Sequence, residues 1–169
     1  ILGSILNSKM HLCFWDDLSS QLEDLTRRVN NNEKAIDPFN QLGLIDNPAL
    51  QRKVTEIRMN SAHPKSQILP KINPYPKHSK IRIGYFSADF KIHPVATLTA
   101  ELYEVHDRNY FEIYAFSFGP DTNDEMNLRI KVGVDHFHNV EAMSHKDIAL
   151  LARSLEIDIA VDLTGLTAK

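Results

Sequence analysis

Between residues 81 and 163 the apolar residues change their period repeatedly, and this alternation constrains the fold more than any other feature. Ile81 to Ser87 reads as a strand. Val95, Leu98, Leu102 and Val105 then recur at helical spacing. Phe111 to Phe118, rich in aromatics, reads as a second strand. A shorter helix is expected near Met126 to Val132, and a short strand around Asp135 to Asn139. Ser144, with Asp147 three residues on, resembles a capping box, and Ile148, Leu151 and Leu155 continue that helix. Ile157, Ile159, Val161 and Leu163 alternate as a final strand. Strand–helix–strand alternation predicts an α/β fold with a parallel sheet and helices on its faces.

The preceding residues have a different character. Leu18, Leu22, Leu25 and Val29 form one stripe of an amphipathic helix, which Asn30, Asn31 and Asn32 are suited to end. Asn47 followed by Pro48 is a helix start, and Leu50, Val54 and Ile57 form its stripe. An earlier helix is expected from about Leu2 to Cys13. Residues 1–60 therefore read as a short helical arm of three helices. Residues 61–79 read as a Pro/Lys-rich linker: the stretch to Lys80 holds Pro64, Pro70, Pro74 and Pro76, four lysines and no acidic residue. Those lysines could meet an acidic partner, or simply keep the linker solvated. Residues 80–169 form the α/β region.

The 169-residue chain is 43% apolar and 24% charged, a globular composition. A net charge of -3 supplies no global basic field for nucleic acid. One cysteine, Cys13, excludes an internal disulfide and a Cys-rich zinc module, and fits a reducing compartment. The longest purely apolar run, Ile148 to Ala152, is too short to span a bilayer. The chain opens on Ile and is expected to be a piece of a longer protein.

Ligands of open parallel sheets bind outside the carboxyl ends of the strands, and two loops there carry chemistry. The first reads Ser87-Ala88-Asp89-Phe90-Lys91-Ile92-His93-Pro94. Pro94 suits the first position of the next helix, which puts His93 at a helix N-terminus. Free N–H groups there attract anions and disfavour a charged imidazole, so His93 suits a neutral base or a hydrogen-bonding role. The alternative is a plain helix cap. The second loop reads Asp162-Leu163-Thr164-Gly165-Leu166-Thr167. Asp162 lies near a strand's carboxyl end, Gly165 permits a tight turn, and Thr164 and Thr167 offer hydroxyls; an ordinary strand-to-loop turn is the alternative. Asp135-His136-Phe137-His138 places two imidazoles on one face, half of a metal site at most. Gly84 stands alone without G-x-G-x-x-G, so no nicotinamide or flavin is expected. There is no G-x-S-x-G elbow either.

The stretch Gly84-Tyr85-Phe86-Ser87-Ala88-Asp89-Phe90-Lys91-Ile92-His93-Pro94 resembles G-Y-x-S-x-D-F-x-x-H-P, the opening of the catalytic region in the protein O-GlcNAc transferase and SPINDLY family. Ile157-Asp158-Ile159-Ala160-Val161-Asp162-Leu163-Thr164-Gly165-Leu166-Thr167 resembles the family's later I-D-I-L-V-D-L-x-G-x-T. Ser8 to Cys13 and Pro48 to Gln51 resemble the helical segment that joins tetratricopeptide repeats to the catalytic half in bacterial members. The resemblance implies a Rossmann-like parallel sheet, part of the N-terminal lobe of a GT-B glycosyltransferase, preceded by the helical arm. It also implies a cytoplasmic, inverting protein O-glycosyltransferase moving GlcNAc from UDP-GlcNAc to Ser or Thr, with no metal and no cofactor beyond the nucleotide-sugar donor. His93 would match the active-site histidine, as base or orienting partner, with Asp162 beside it. Pro94, Thr164, Gly165 and Thr167 would line the substrate cleft. Implied partners are protein acceptors, not nucleic acid or membrane.

Two departures qualify this. Leu166 stands where relatives commonly carry Tyr or His. The chain also ends at Lys169, so the lobe is expected to be incomplete and the isolated chain inactive. Relatives using GDP-fucose or UDP-glucose keep the sugar open, and a non-catalytic protein-interaction module is the rival from another class.

Overall fold

A computed structural model describes residues 2–64 and 69–166, which form two compact units on either side of the break. The first unit is helical: α1 (Leu2–His11), α2 (Leu18–Asn30), α3 (Pro38–Leu42) and α4 (Pro48–Ala62). The stripe on α2 is realised, since Leu25 and Val29 are buried with Leu6, Ala35, Ile36, Leu50 and Val54. Asn32 ends that helix in the left-handed conformation, at φ 63°. Asn47 caps α4, its side chain accepting from the Leu50 N–H at 3.0 Å, and Pro48 occupies the first turn. The sequence reading lacks α3. Five residues are too few to show a period, but Asp37-Pro38 carries the same start signal, and Asp37 accepts from the Phe39 N–H at 3.2 Å.

The second unit is α/β: β1 (Ile81–Ser87), α5 (Pro94–Val105), β2 (Phe111–Ser117), α6 (Glu125–Gly133), β3 (His136–Asn139), α7 (His145–Ser154) and β4 (Ile159–Asp162). All its strand pairs are parallel, in the order β3-β2-β1-β4. Ile83, Tyr85, Ile113 and Ala115 face α5 and α6, where they pack with Ala96, Ala100, Tyr103 and Ile130. Tyr114 and Phe116 face the other way, toward Ile148, Leu151 and Ala152 of α7. Each large core side chain of this kind stabilises by about 1.5–3 kcal/mol. Residues 69–80 belong to this unit. Tyr75 donates its hydroxyl to Asp158 at 3.0 Å, Arg153 donates to the Pro70 carbonyl at 2.5 Å, and His78 lies 2.8 Å from Glu156. No helix among the described residues is long and apolar enough to cross a membrane.

Two elements differ in detail from expectation. α5 forms where expected, but it buries Ala96, Ala100 and Tyr103 and leaves Leu98, Leu102 and Val105 exposed. Small residues let α5 approach the sheet and α6, and Tyr103 fills the gap against Tyr85 at 4.9 Å between ring centroids. The last strand is shorter at both ends, because Asp158 turns out to accept from the Arg82 N–H and Asp162 starts a turn.

Candidate functional site

β1 is the point where the sheet order reverses. The chain crosses from β1 to β2 and β3 on one side, and β4 returns on the other. Such a switch point opens a crevice at the carboxyl ends of the strands. Here the loops that flank the switch point are the loop after β1, residues 88–93, and the loop after β4, residues 163–166. Both sequence-predicted loops therefore meet at one sheet edge.

They are joined by backbone geometry. The Leu163 N–H donates to the Phe86 carbonyl at 3.0 Å, and the Ala88 N–H donates to the Thr164 hydroxyl at 3.2 Å. The loop after β2 adds a third wall. The Phe118 N–H donates to the Ser87 carbonyl at 3.1 Å, and Gly119 lies so close to the Ala88 carbonyl that a β-carbon would collide with it. Thr164 is buried, so its hydroxyl serves as a loop bolt.

His93 caps α5. Its Nδ1 accepts from the Val95 N–H at 3.2 Å, with Pro94 in the first turn behind it. Accepting at Nδ1 leaves the ring proton on Nε2 when the imidazole is neutral. Nε2 is then a hydrogen-bond donor, and the side chain is 39% exposed. The Asp89 carboxylate lies 3.8 Å from the same Nδ1, beyond hydrogen-bond length. A ring turned toward Asp89 would donate from Nδ1 and free Nε2 to accept a proton. The site thus holds two alternative partners for one nitrogen.

Asp162 does something different. Its Oδ1 accepts from the N–H groups of Thr164 at 3.0 Å and Gly165 at 2.9 Å, which folds the loop back, with Gly165 at φ +54°. It shares no hydrogen bond or ion pair with His93 among the described residues. It lies instead on the α7 face of the sheet, in register with Phe86, and lines an apolar groove of ≈ 650 Å³ with Phe118, Ile148 and Ala160. Thr167 lies outside the described residues.

The two imidazoles of β3 pack against aromatic rings, and the His138 Nε2 is buried with no hydrogen-bond partner among the described residues. His136 contacts Glu112 at 2.9 Å and stacks on Tyr114, while His138 stacks on Phe116. Burial and the neighbouring His136 lower the His138 pKa. No group of three or more metal-ligand side chains occurs among the described residues.

Sequence reasoning passed over three residues at this edge. Asp89 stood inside the quoted motif four residues before His93, a spacing that could have singled it out. Asp124 and Asn127, at the start of α6, hydrogen-bond to the backbone of the His93 loop. Asn127 carried no sequence signal beyond its spacing of three from buried Ile130.

Residues 53–168 match the pattern of the family described as Glycosyl transferase family 41, more than half of the chain. The chain belongs to that family. This family 41 chain is 27% identical over 180 residues to an Arabidopsis thaliana protein named a probable UDP-N-acetylglucosamine–peptide N-acetylglucosaminyltransferase SEC, covering 96% of this chain and 18% of the plant protein. Its structure also matches an O-GlcNAc transferase of Thermobaculum terrenum, the K341M mutant, with a TM-score of 0.60 at 23% identity, over 95% of this chain and 31% of that one. That likeness bears on fold, and it agrees with the Rossmann-like lobe expected from sequence. The family 41 chain spans less than a third of either relative's length.

Proposed function

We propose that this family 41 chain is part of an inverting protein O-glycosyltransferase that moves N-acetylglucosamine from UDP-GlcNAc to Ser or Thr hydroxyls. The observation that carries the reading is His93, held on the α5 N-terminus beside Asp89 at the sheet's switch point, within the motif that resembles the family's catalytic opening. The plant relative's name describes a probable transfer of N-acetylglucosamine from UDP-N-acetylglucosamine to peptide, which supports the donor and the protein acceptor of this reading. In this reading no metal or further cofactor takes part, preceding tetratricopeptide repeats present the acceptor proteins, and the reaction is cytoplasmic.

The chemistry joins the acceptor oxygen to the anomeric carbon as the bond to the UDP oxygen breaks. A proton must leave the acceptor, and negative charge must be stabilised on the diphosphate. With Nδ1 on the Val95 N–H, His93 presents an Nε2–H that orients substrate oxygens. With Nδ1–H turned to Asp89, Nε2 becomes the base. The resting geometry supports the orienting role. Pro94, Gly165 and Thr164 shape the adjoining walls; Thr167, which the family resemblance adds to them, lies outside the described residues.

The test uses the longest protein that contains this segment, offered labelled UDP-GlcNAc, UDP-glucose and GDP-fucose with a host protein extract. We expect label to reach protein from UDP-GlcNAc, and His93→Ala to lower transfer by about 10²-fold or more. Transfer from another donor would replace the sugar. The 169-residue chain alone is expected to transfer nothing and to bind the donor weakly; tight stoichiometric binding in a calorimeter would overturn that. A second reading, a non-catalytic protein-interaction module, is favoured by the exposed apolar side chains Leu98, Val105 and Val132 on α5 and α6. Absence of transfer from every donor by a folded protein would select it.

A further inference from the structure

The loop that carries His93 is held by side chains of a different element. Asp124 caps α6 through Oδ1, which accepts from the Asn127 N–H at 2.9 Å. Its other oxygen, Oδ2, accepts from the Ile92 N–H at 3.0 Å and from the Thr122 hydroxyl at 2.5 Å. One helix turn on, the Asn127 Nδ2 donates to the Phe90 carbonyl at 2.7 Å. The N-cap Asp124 and Asn127 of α6 thus hold the backbone on both sides of Lys91, and the hold from Asp124 is on Ile92, the residue before His93.

Packing holds Phe90, which is buried in the core, but it does not hold Ile92. The Ile92 side chain is 64% exposed, so its main chain is fixed by the hydrogen bond to Asp124 and not by burial. Asn127 is 0% exposed and its Oδ1 is buried with no partner. An apolar residue of similar size would fill that space without leaving an acceptor unsatisfied. What Asn127 supplies and an apolar residue does not is the donor to Phe90.

We propose that Asp124 and Asn127 are positioning residues for His93, setting the loop so that the imidazole meets the Val95 N–H through Nδ1 and carries its proton on Nε2. The catalytic meaning of this rests on the function proposed above; the geometry does not. Released from α6, residues 90–92 would let the ring exchange its Val95 contact for Asp89, 3.8 Å away.

The experiment uses the 169-residue chain, labelled with ¹⁵N, and reads the imidazole tautomer from long-range proton–nitrogen spectra, with His93 assigned through His93→Gln. The parent is expected to show a single Nε2–H tautomer at His93; a ring protonated on Nδ1 overturns the proposal at once. Asp124→Ser keeps a favoured helix cap but cannot reach Ile92. Asn127→Leu keeps the branched shape at a larger volume and removes the donor. Each is expected to lose the single-tautomer signature at His93 while the amide signals of β1 and β2 persist. If both variants fold and keep the parent signature, the proposal fails. If Asn127→Leu does not fold, Asp124→Ser alone decides. A role confined to stability would lower the melting temperature and leave the His93 signature unchanged. The measurement needs no sugar donor, so the expected spectra in this chain, together with no transfer by the longest protein that contains it, would sink the proposed function and keep this inference.

Discussion

Asp162 carries a turn on the carboxylate that the family resemblance places beside the active-site histidine. Its Oδ1 receives two backbone N–H groups and closes the turn at Gly165. Asp162→Ala is expected to cost about 1–2 kcal/mol in denaturant unfolding, because those donors lose their acceptor. Asp162→Asn retains an oxygen in the same place and should stay within about 0.5 kcal/mol of the parent. Equal losses in both variants would show that the negative charge, and not the acceptor geometry, holds the loop. His93 is the complementary case. The short motif identified the residue, but only the 3.2 Å contact with Val95 assigns a role to each ring nitrogen.

At the scale of elements, α5 was legible in its extent and illegible in its facing. Its large apolar residues repeat at helical spacing, yet the buried stripe is Ala96, Ala100 and Tyr103. Periodicity reports that a helix exists; which stripe is buried depends on how closely the neighbouring sheet and helix approach. Tyr103 makes this measurable. Burial pushes its phenol up to about 12, although its hydroxyl also donates to Thr99 at 2.8 Å. An unfolded tyrosine ionises near 10. The stability from keeping Tyr103 neutral is fully present below about pH 10 and is lost as pH rises through about 12, on the order of 3 kcal/mol in all. Tyr103→Phe should flatten the alkaline limb of a urea-unfolding series between those values. An unchanged limb would mean that this phenol does not titrate on unfolding. The missed α3 teaches a related point: at five residues it is defined by its cap, Asp37 before Pro38, and not by a stripe.

Across the whole α/β unit, polar side chains gather at two opposite edges of the sheet. At the carboxyl ends stand the loops of His93 and Asp162. At the amino ends Arg82 bonds Glu112 at 3.0 Å, Glu112 meets His136 at 2.9 Å, and Arg82 approaches Glu156 at 3.6 Å, tying β1 to β2, β3 and the residues before β4. Burial opposes the charge on Glu112, but hydrogen bonds from His136 and Arg82 outweigh it and hold the carboxyl below its ordinary range. The stability this supplies is present above the usual glutamate pKa and is lost as pH falls through the lowered value. Glu112→Gln should therefore show a shallower acid transition by circular dichroism below about pH 4.5. An acid limb as steep as the parent's would assign acid sensitivity to other carboxylates.

The amino-acid sequence by itself determined most of the elements and their order: apolar and aromatic runs became β1 and β2, Asn-Pro and His-Pro pairs became helix starts, and strand–helix alternation required a parallel sheet. These are local effects, set by backbone donors, prolines and apolar spacing within a few residues. The tertiary structure alone decided that β4 returns beside β1 and so makes a switch point, that Thr164 bolts onto Ala88 across 76 positions, and that α6 holds the His93 loop. Each of these pairs residues far apart in the chain, and no local spacing records which distant donor will meet which acceptor once the core closes.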